Sequence, residues 1–181
     1  MSLPQPPQPA KLVVGLFLRK QSLLRAVSEE LSSAFGPIDM VSPWLPFDYT
    51  SYYETEMGTP LFRRVFAYKH LILQRDLPEV KITTNAVERQ YSAGGKRQVN
   101  IDPGYLLRER FVLASGKNFC HRIYLDQGIY ADLTLVYQKN AYQKLPWTYP
   151  DYADSPVVRF LEHVRNKYVI DLKHKTVDIN D

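Results

Sequence analysis

The sequence predicts a single α+β domain, with a mixed, mostly antiparallel sheet, an opening β-α-β unit and a C-terminal helix packed on the sheet. Three observations carry this. Apolar runs and apolar/polar alternation, the marks of strands, recur from Lys11 to Gln138. Two long stretches place apolar residues at helical spacing, one near each end. The chain has 181 residues, 45% hydrophobic and 23% charged, a size and balance that let one domain bury its own core.

Met1 to Ala10 (MSLPQPPQPA) is proline-rich, lacks periodicity and reads as a loose tail. The domain is therefore expected over residues 11–172, with a fraying polar tail over 173–181. Lys11 to Leu18 (KLVVGLFL) is a continuous apolar run, as in a strand buried on both faces. Leu23, Leu24, Val27, Leu31, Ala34 and Phe35 form one stripe of a helix over Gln21 to Phe35, which Gly36-Pro37 stops. Ile38 to Trp44 reads as the second strand, Phe62 to Leu73 as a long third, and Val80 to Thr83 as a short one. Asn85 and Glu88 have the spacing of a capping box, which predicts a short helix ended by Gly94-Gly95. Arg97 to Ile101, Arg110 to Ala114, His121 to Leu125 and Ile129 to Gln138 read as strands, and Asp102-Pro103-Gly104 as a turn. Asp126-Gln127-Gly128 joins the last two strands as a hairpin. Ser155-Pro156 opens the final helix, whose buried stripe is Val157, Phe160, Leu161, Val164 and Tyr168.

The net charge of +4 is uneven. Between Lys96 and Arg122 stand six cations (Lys96, Arg97, Arg108, Arg110, Lys117, Arg122) against Asp102 and Glu109. Such a segment suits a phosphate, a carboxylate or a nucleic acid, and equally a solvated strand face. The single cysteine, Cys120, rules out an internal disulfide. No stretch approaches the roughly 18 apolar residues of a membrane span, and the start lacks a signal-peptide pattern. The expected compartment is the cytoplasm, with no membrane partner.

Several chemistries are excluded by spacing. Gly95-Lys96 lacks the earlier glycine of a P-loop, where Gln90 stands, and the following Ser or Thr, where Arg97 stands. Asn166-Lys167 begins a guanine-reading motif, but Val169 replaces its aspartate. His70, His121, His163, His174 and Cys120 show no paired zinc-ligand spacing.

Three segments remain. In Pro46 to Gly58, Asp48, Glu54 and Glu56 offer carboxylate oxygens suited to Mg²⁺, or serve a helix that begins near Asp48 or Thr50. In Gly94 to Leu106, Lys96 and Arg97 follow flexible glycines, and Asn100 and Asp102 share the face opposite Val99 and Ile101. In His121 to Leu125, His121, Arg122 and Tyr124 meet Tyr130 and Asp132 across a hairpin.

The stretches Pro46 to Gly58, Gly95 to Leu106, His121 to Asp132 and Leu145 to Tyr152 (LPWTYPDY) give the chain a resemblance to a prokaryotic family, the domain of unknown function numbered four-four-one-six. It covers about Lys11 to Tyr168 and implies a single domain of this length. Some members carry a GTP-binding label. The resemblance transfers no catalytic residues.

The first functional expectation is a polar cleft for an anionic small molecule, phosphorylated or nucleotide-like. Lys96, Arg97 and Arg122 would neutralise it, with Asn100 beside them, and Tyr49, Tyr105, Tyr124 or Trp147 would stack on a ring. Asp48, Glu54 and Glu56 would hold a metal, Asp102 would act as ligand or base, and His121 would move a proton. The second is an RNA-binding module using the basic 96–122 segment. The third is an interaction scaffold presenting Trp147, Tyr149 and Tyr152. Whether a reaction is catalysed, and the oligomeric state, are left open.

Overall fold

The computed structural model describes residues 1–49 and 53–177. Its elements in order are β1 (Ala10–Leu18), α1 (Leu24–Phe35), β2 (Ile38–Val41), β3 (Leu45–Pro46), α2 (Glu54–Met57), β4 (Phe62–Ile72), α3 (Leu77–Gln90), β5 (Ser92–Ala93), β6 (Lys96–Arg97), β7 (Val99–Leu106), β8 (Arg110–Ser115), β9 (Arg122–Asp126), β10 (Ile129–Gln138), β11 (Ala141–Lys144) and α4 (Ser155–Val177). Nine strands form one sheet in the order β11-β10-β8-β7-β1-β4-β2, with β3 beside β4 and β9 beside β10, while β5 and β6 pair as a small separate hairpin.

Every pairing among the described residues is antiparallel. The opening β-α-β unit is split. β1 and β2 both pair antiparallel to β4, which lies between them, so the two run parallel without touching.

β1 is buried at every residue, as its continuous apolar run requires. Its alternate side chains serve two layers. Leu12, Val14, Leu16 and Leu18 pack with Val27 and Leu31 of α1 and with Val80 and Val87 of α3. Val13, on the other face, shares a cluster with Leu161, Val164 and Tyr168 of α4. Lys11 points to that face too. It is buried and donates to Asp39 of β2 at 2.6 Å and to Asp171 of α4 at 2.8 Å.

Four expectations are corrected. Residues 80–83 are not a strand, and Asn85 and Glu88 do not open a helix; both lie within the single 14-residue α3. Its buried residues are Leu77, Pro78, Val80, Lys81, Thr84, Val87 and Glu88, so polar residues take three of the seven buried positions and hide the period. Asp102-Pro103-Gly104 is not a turn but lies inside β7, opposite Gly15, Val14 and Val13. The proline is tolerated because the β7–β8 ladder starts only at Gly104. The strand expected over Arg97 to Ile101 divides into β6 and the longer β7.

α4 continues past Leu172 to Val177, and residues 178–181 of the expected tail lie outside the described residues. So does Thr50, one of the two expected helix starts in its segment, where α2 begins at Glu54. Among the described residues, no helix is long and apolar enough to cross a membrane.

Candidate cleft at a break in the sheet

β7 and β8 pair only through Gly104, Tyr105 and Leu106, so the first half of β7 has no β8 neighbour. Helix α3 takes over part of that edge. The Ile101 N–H donates to Glu88 at 2.5 Å, and Lys81 Nζ donates to the Ile101 carbonyl at 2.8 Å. These two polar residues on the buried face of α3 satisfy backbone groups that a ladder would otherwise pair.

Beside the break opens a cleft of about 460 Å³. Six aromatic rings line it: Phe17, Phe47, Tyr49, Tyr53, Tyr149 and Tyr152. Phe17 and Phe47 stack at 4.1 Å, and Tyr53 meets Phe17 edge-on at 4.6 Å. The Tyr49 hydroxyl donates to Asp154, and its pKa is pushed up to about 12, by burial first and then by that carboxylate. Tyr49 is therefore a neutral wall at physiological pH.

The charged lining is Asp102, Asp132, Asp151, Lys117 and Arg122. Arg122 is buried, donating from Nε to Asp132 at 2.8 Å, from Nη1 to Ser115 Oγ and the Lys117 carbonyl at 2.9 Å, and from Nη2 to the Tyr149 hydroxyl at 2.8 Å. Four of its five N–H groups are engaged in these bonds, so it chiefly fixes Tyr149 and the end of β8. Arg63 of β4, also buried, pairs with Asp151 and lies over the Tyr152 ring at 4.2 Å. The Tyr152 hydroxyl occupies the space that a side chain at Gly15 would fill.

A second network reaches the cleft through Asp102. Glu56 of α2 takes two bonds from Arg97, at 2.6 and 2.8 Å. Arg97 donates to Asn100 Oδ1 at 2.7 Å, and Asn100 donates to Asp102 Oδ2 at 2.8 Å. Arg97 holds the Glu56 carboxyl below its usual value, chiefly by those hydrogen bonds. Burial pushes Glu88 the other way, against the opposing charge of Lys81.

Of the residues singled out in the sequence, Tyr49, Asp102, Lys117, Arg122, Asp132, Tyr149 and Tyr152 line the cleft. Arg97, Asn100 and Glu56 connect behind Asp102. His121 stands one layer back, 3.5 Å from Asp132, with its ring stacked on Trp147 at 5.0 Å. The others lie elsewhere. Lys96 is exposed on the β5–β6 hairpin. Tyr105 is buried in the core, and burial raises its phenol. Tyr124 is exposed on β9 against Tyr130. Asp48 and Glu54 are exposed, Glu56 belongs to Arg97, and no group of three metal-binding side chains occurs among the described residues. The basic segment is likewise partly turned inward, since Arg97 and Arg122 are ion-paired with Glu56 and Asp132.

The sequence reading missed Phe17, Arg63, Lys81, Glu88, Asp151 and Tyr152's place in the cleft. One signal was available: Gly15 interrupts an apolar strand, and such a glycine marks a close approach, here by Tyr152. Glu88→Ala is expected to cost about 1–3 kcal/mol, because it leaves a buried Ile101 N–H without an acceptor. Glu88→Gln, which keeps an acceptor, should cost less; equal urea midpoints for the two variants would disprove this role.

Fold and cleft together define a class: a single-domain α+β protein with helices on both faces of one sheet and an aromatic cleft where the ladder breaks. The chain belongs to the family described as Domain of unknown function (DUF4416), which matches residues 8–168 and so includes every residue of the cleft. No curated protein and no solved structure gives a match.

Proposed function

We propose that the protein binds a small planar, nucleotide-like ligand in this cleft. The observation that carries the reading is a space of about 460 Å³ lined by six aromatic rings and three carboxylates. Ligand pockets typically measure about 300–1,000 Å³ and pair apolar walls with a few polar groups. Phe17 and Phe47 are stacked on each other and buried with Met57 and Leu61, so this wall is already ordered and binding need not order it. Lys117 at the lining supplies positive charge for an anionic end of the ligand. Arg97 and Arg122 bond inward, which draws support away from an RNA-binding face; of the three rings offered for a scaffold, Tyr152 is buried while Trp147 and Tyr149 are exposed. The exposed free Cys120 suits a reducing cytoplasm.

The test is thermal stability against nucleotides, nucleosides and sugar phosphates, each with and without Mg²⁺. A ligand at about 100 times its Kd adds roughly 2.7 kcal/mol, a rise of several degrees for a domain of this size. Compounds with a planar ring should raise the melting temperature and sugar phosphates should not. A flat panel would overturn the reading.

A further inference from the structure

We infer that Asp102 reads an N–H donor on the edge of the bound ring, so that the cleft selects heterocycles carrying such a donor, nucleobases among them. This rests on the ligand-binding reading above and goes beyond it by naming the recognised group.

Three carboxylates line the cleft, and they differ in how they are matched. Asp132 takes the Arg122 guanidinium at 2.8 Å, with both side chains 2% exposed. Asp151 is paired with the buried Arg63. Asp102 is the more open one, with 34% of its side chain exposed. Its Oδ2 accepts from Asn100 at 2.8 Å. Its nearest cation, Lys81, lies 3.8 Å from Oδ1, and that ammonium donates instead to the Ile101 carbonyl. An ionised carboxylate offers about four acceptor positions, so Asp102 retains several that face the cleft.

The placement follows from the pairing of the strands. Asp102 stands directly opposite Gly15 on β1, and residues so paired project to the same face. Gly15 has no side chain, and the space one would take opposite Asp102 holds the Tyr152 hydroxyl instead. Asp102 shares the cleft lining with the aromatic rings, so a planar ligand among them has the carboxylate within reach of its edge. Lys81 balances the carboxylate's charge from the α3 side without capping its oxygen, so a neutral N–H is sufficient and a full cation is not required. Hydrogen bonds to an ionised acceptor are among the strong ones.

The experiment is calorimetric titration of the full chain with two matched pairs: adenosine and N6,N6-dimethyladenosine, and inosine and 1-methylinosine. Each second member lacks the donor and keeps the ring. The wild-type protein should bind the parent compounds at least about tenfold more tightly. In Asp102→Asn that preference should fall to within about threefold. A preference that survives in a folded Asp102→Asn protein would come from shape and would overturn the inference. Equal binding of parent and blocked compounds by the wild type would overturn it too, while leaving the cleft reading intact. Should none of the four bind, the inference falls, and the wider ligand panel decides the cleft reading separately. The wild-type comparison needs no variant, so a misfolded Asp102→Asn protein would not remove the test.

Discussion

Lys11→Ala is expected to destabilise the domain by about 3–5 kcal/mol, the range for removing one partner of a buried charge pair. The Lys11 ammonium is fully buried and joins three elements: its own β1, Asp39 of β2 at 2.6 Å and Asp171 of α4 at 2.8 Å. Without it, two carboxylates that are 15% and 21% exposed face each other. Lys167 remains, 2.6 Å from Asp171 and 3.5 Å from Asp39, but is 41% exposed and compensates them only in part. The lost methylene stem adds a packing cost, which Lys11→Met would restore while leaving the charge defect.

The two variants carry a pH signature. Burial acts to raise the Asp171 carboxyl, but hydrogen bonds from Lys11 and Lys167, with their charges, outweigh it and hold the group below its usual 3.8. A carboxyl depressed in the folded state contributes stability above its unfolded value and loses it as pH falls through the folded one. The gap between wild type and Lys11→Met should therefore be widest near neutrality and narrow below about pH 4. Urea denaturation at neutral and acid pH measures it. A gap that does not change with pH would show that the ion pairs contribute nothing beyond packing.

Which parts of this architecture were legible follows from what hydrophobic pattern encodes. β1, α1, β4 and α4 were readable because apolar residues hold nearly all their buried positions, Lys11 and Arg63 being the exceptions. α3 was not, since Lys81, Thr84 and Glu88 occupy buried positions, Lys81 and Glu88 to complete the edge of β7 and Thr84 bonding back within the helix. The turn read into Asp102-Pro103-Gly104 fails for a related reason. Local composition favours a turn, but whether a proline is tolerated depends on which of its backbone groups a neighbouring strand needs, and β8 reaches only to Gly104.

The cleft shows the same limit. Asp102, Arg122 and Tyr49 stood out as polar or aromatic residues in suggestive segments, and alternation placed Asn100 and Asp102 on one face. Pattern does not say which strand covers that face. Arg63, Asp151 and Tyr152 join the site only because β4 lies next to β1 and the segment before α4 folds across both. Lys96 and Tyr124 have the right chemistry and lie outside the cleft for the same reason: their places are set by a small hairpin and by β9 at the side of the sheet.

Gly104→Ala is expected to cost about 3 kcal/mol, at the upper end of what overpacking a filled interior does. A Cβ at this position would lie well inside 3.0 Å of the Val112 carbonyl oxygen, with the Leu113 side chain at 3.1 Å and the Phe111 ring at 3.2 Å. The obstacle is backbone, which cannot swing aside as the end of a flexible side chain can. Gly104 also pairs with Leu113 on the first rung between β7 and β8, so relief requires β8 to move away from β7. That movement carries Ser115 and the Lys117 carbonyl, both of which orient Arg122, and Arg122 in turn holds Tyr149. Stability and cleft geometry should therefore fail together. Gly116→Ala is the control, because nothing lies within 4 Å of a Cβ there, and it should stay within about 0.5 kcal/mol of wild type. Urea midpoints measure the stability term, and amide exchange at Tyr105 and Val112 reports whether the rung beside Gly104 has opened. If Gly104→Ala proved as mild as Gly116→Ala, β7 and β8 would have room to separate, and the tight rung beside the cleft would not be what sets its shape.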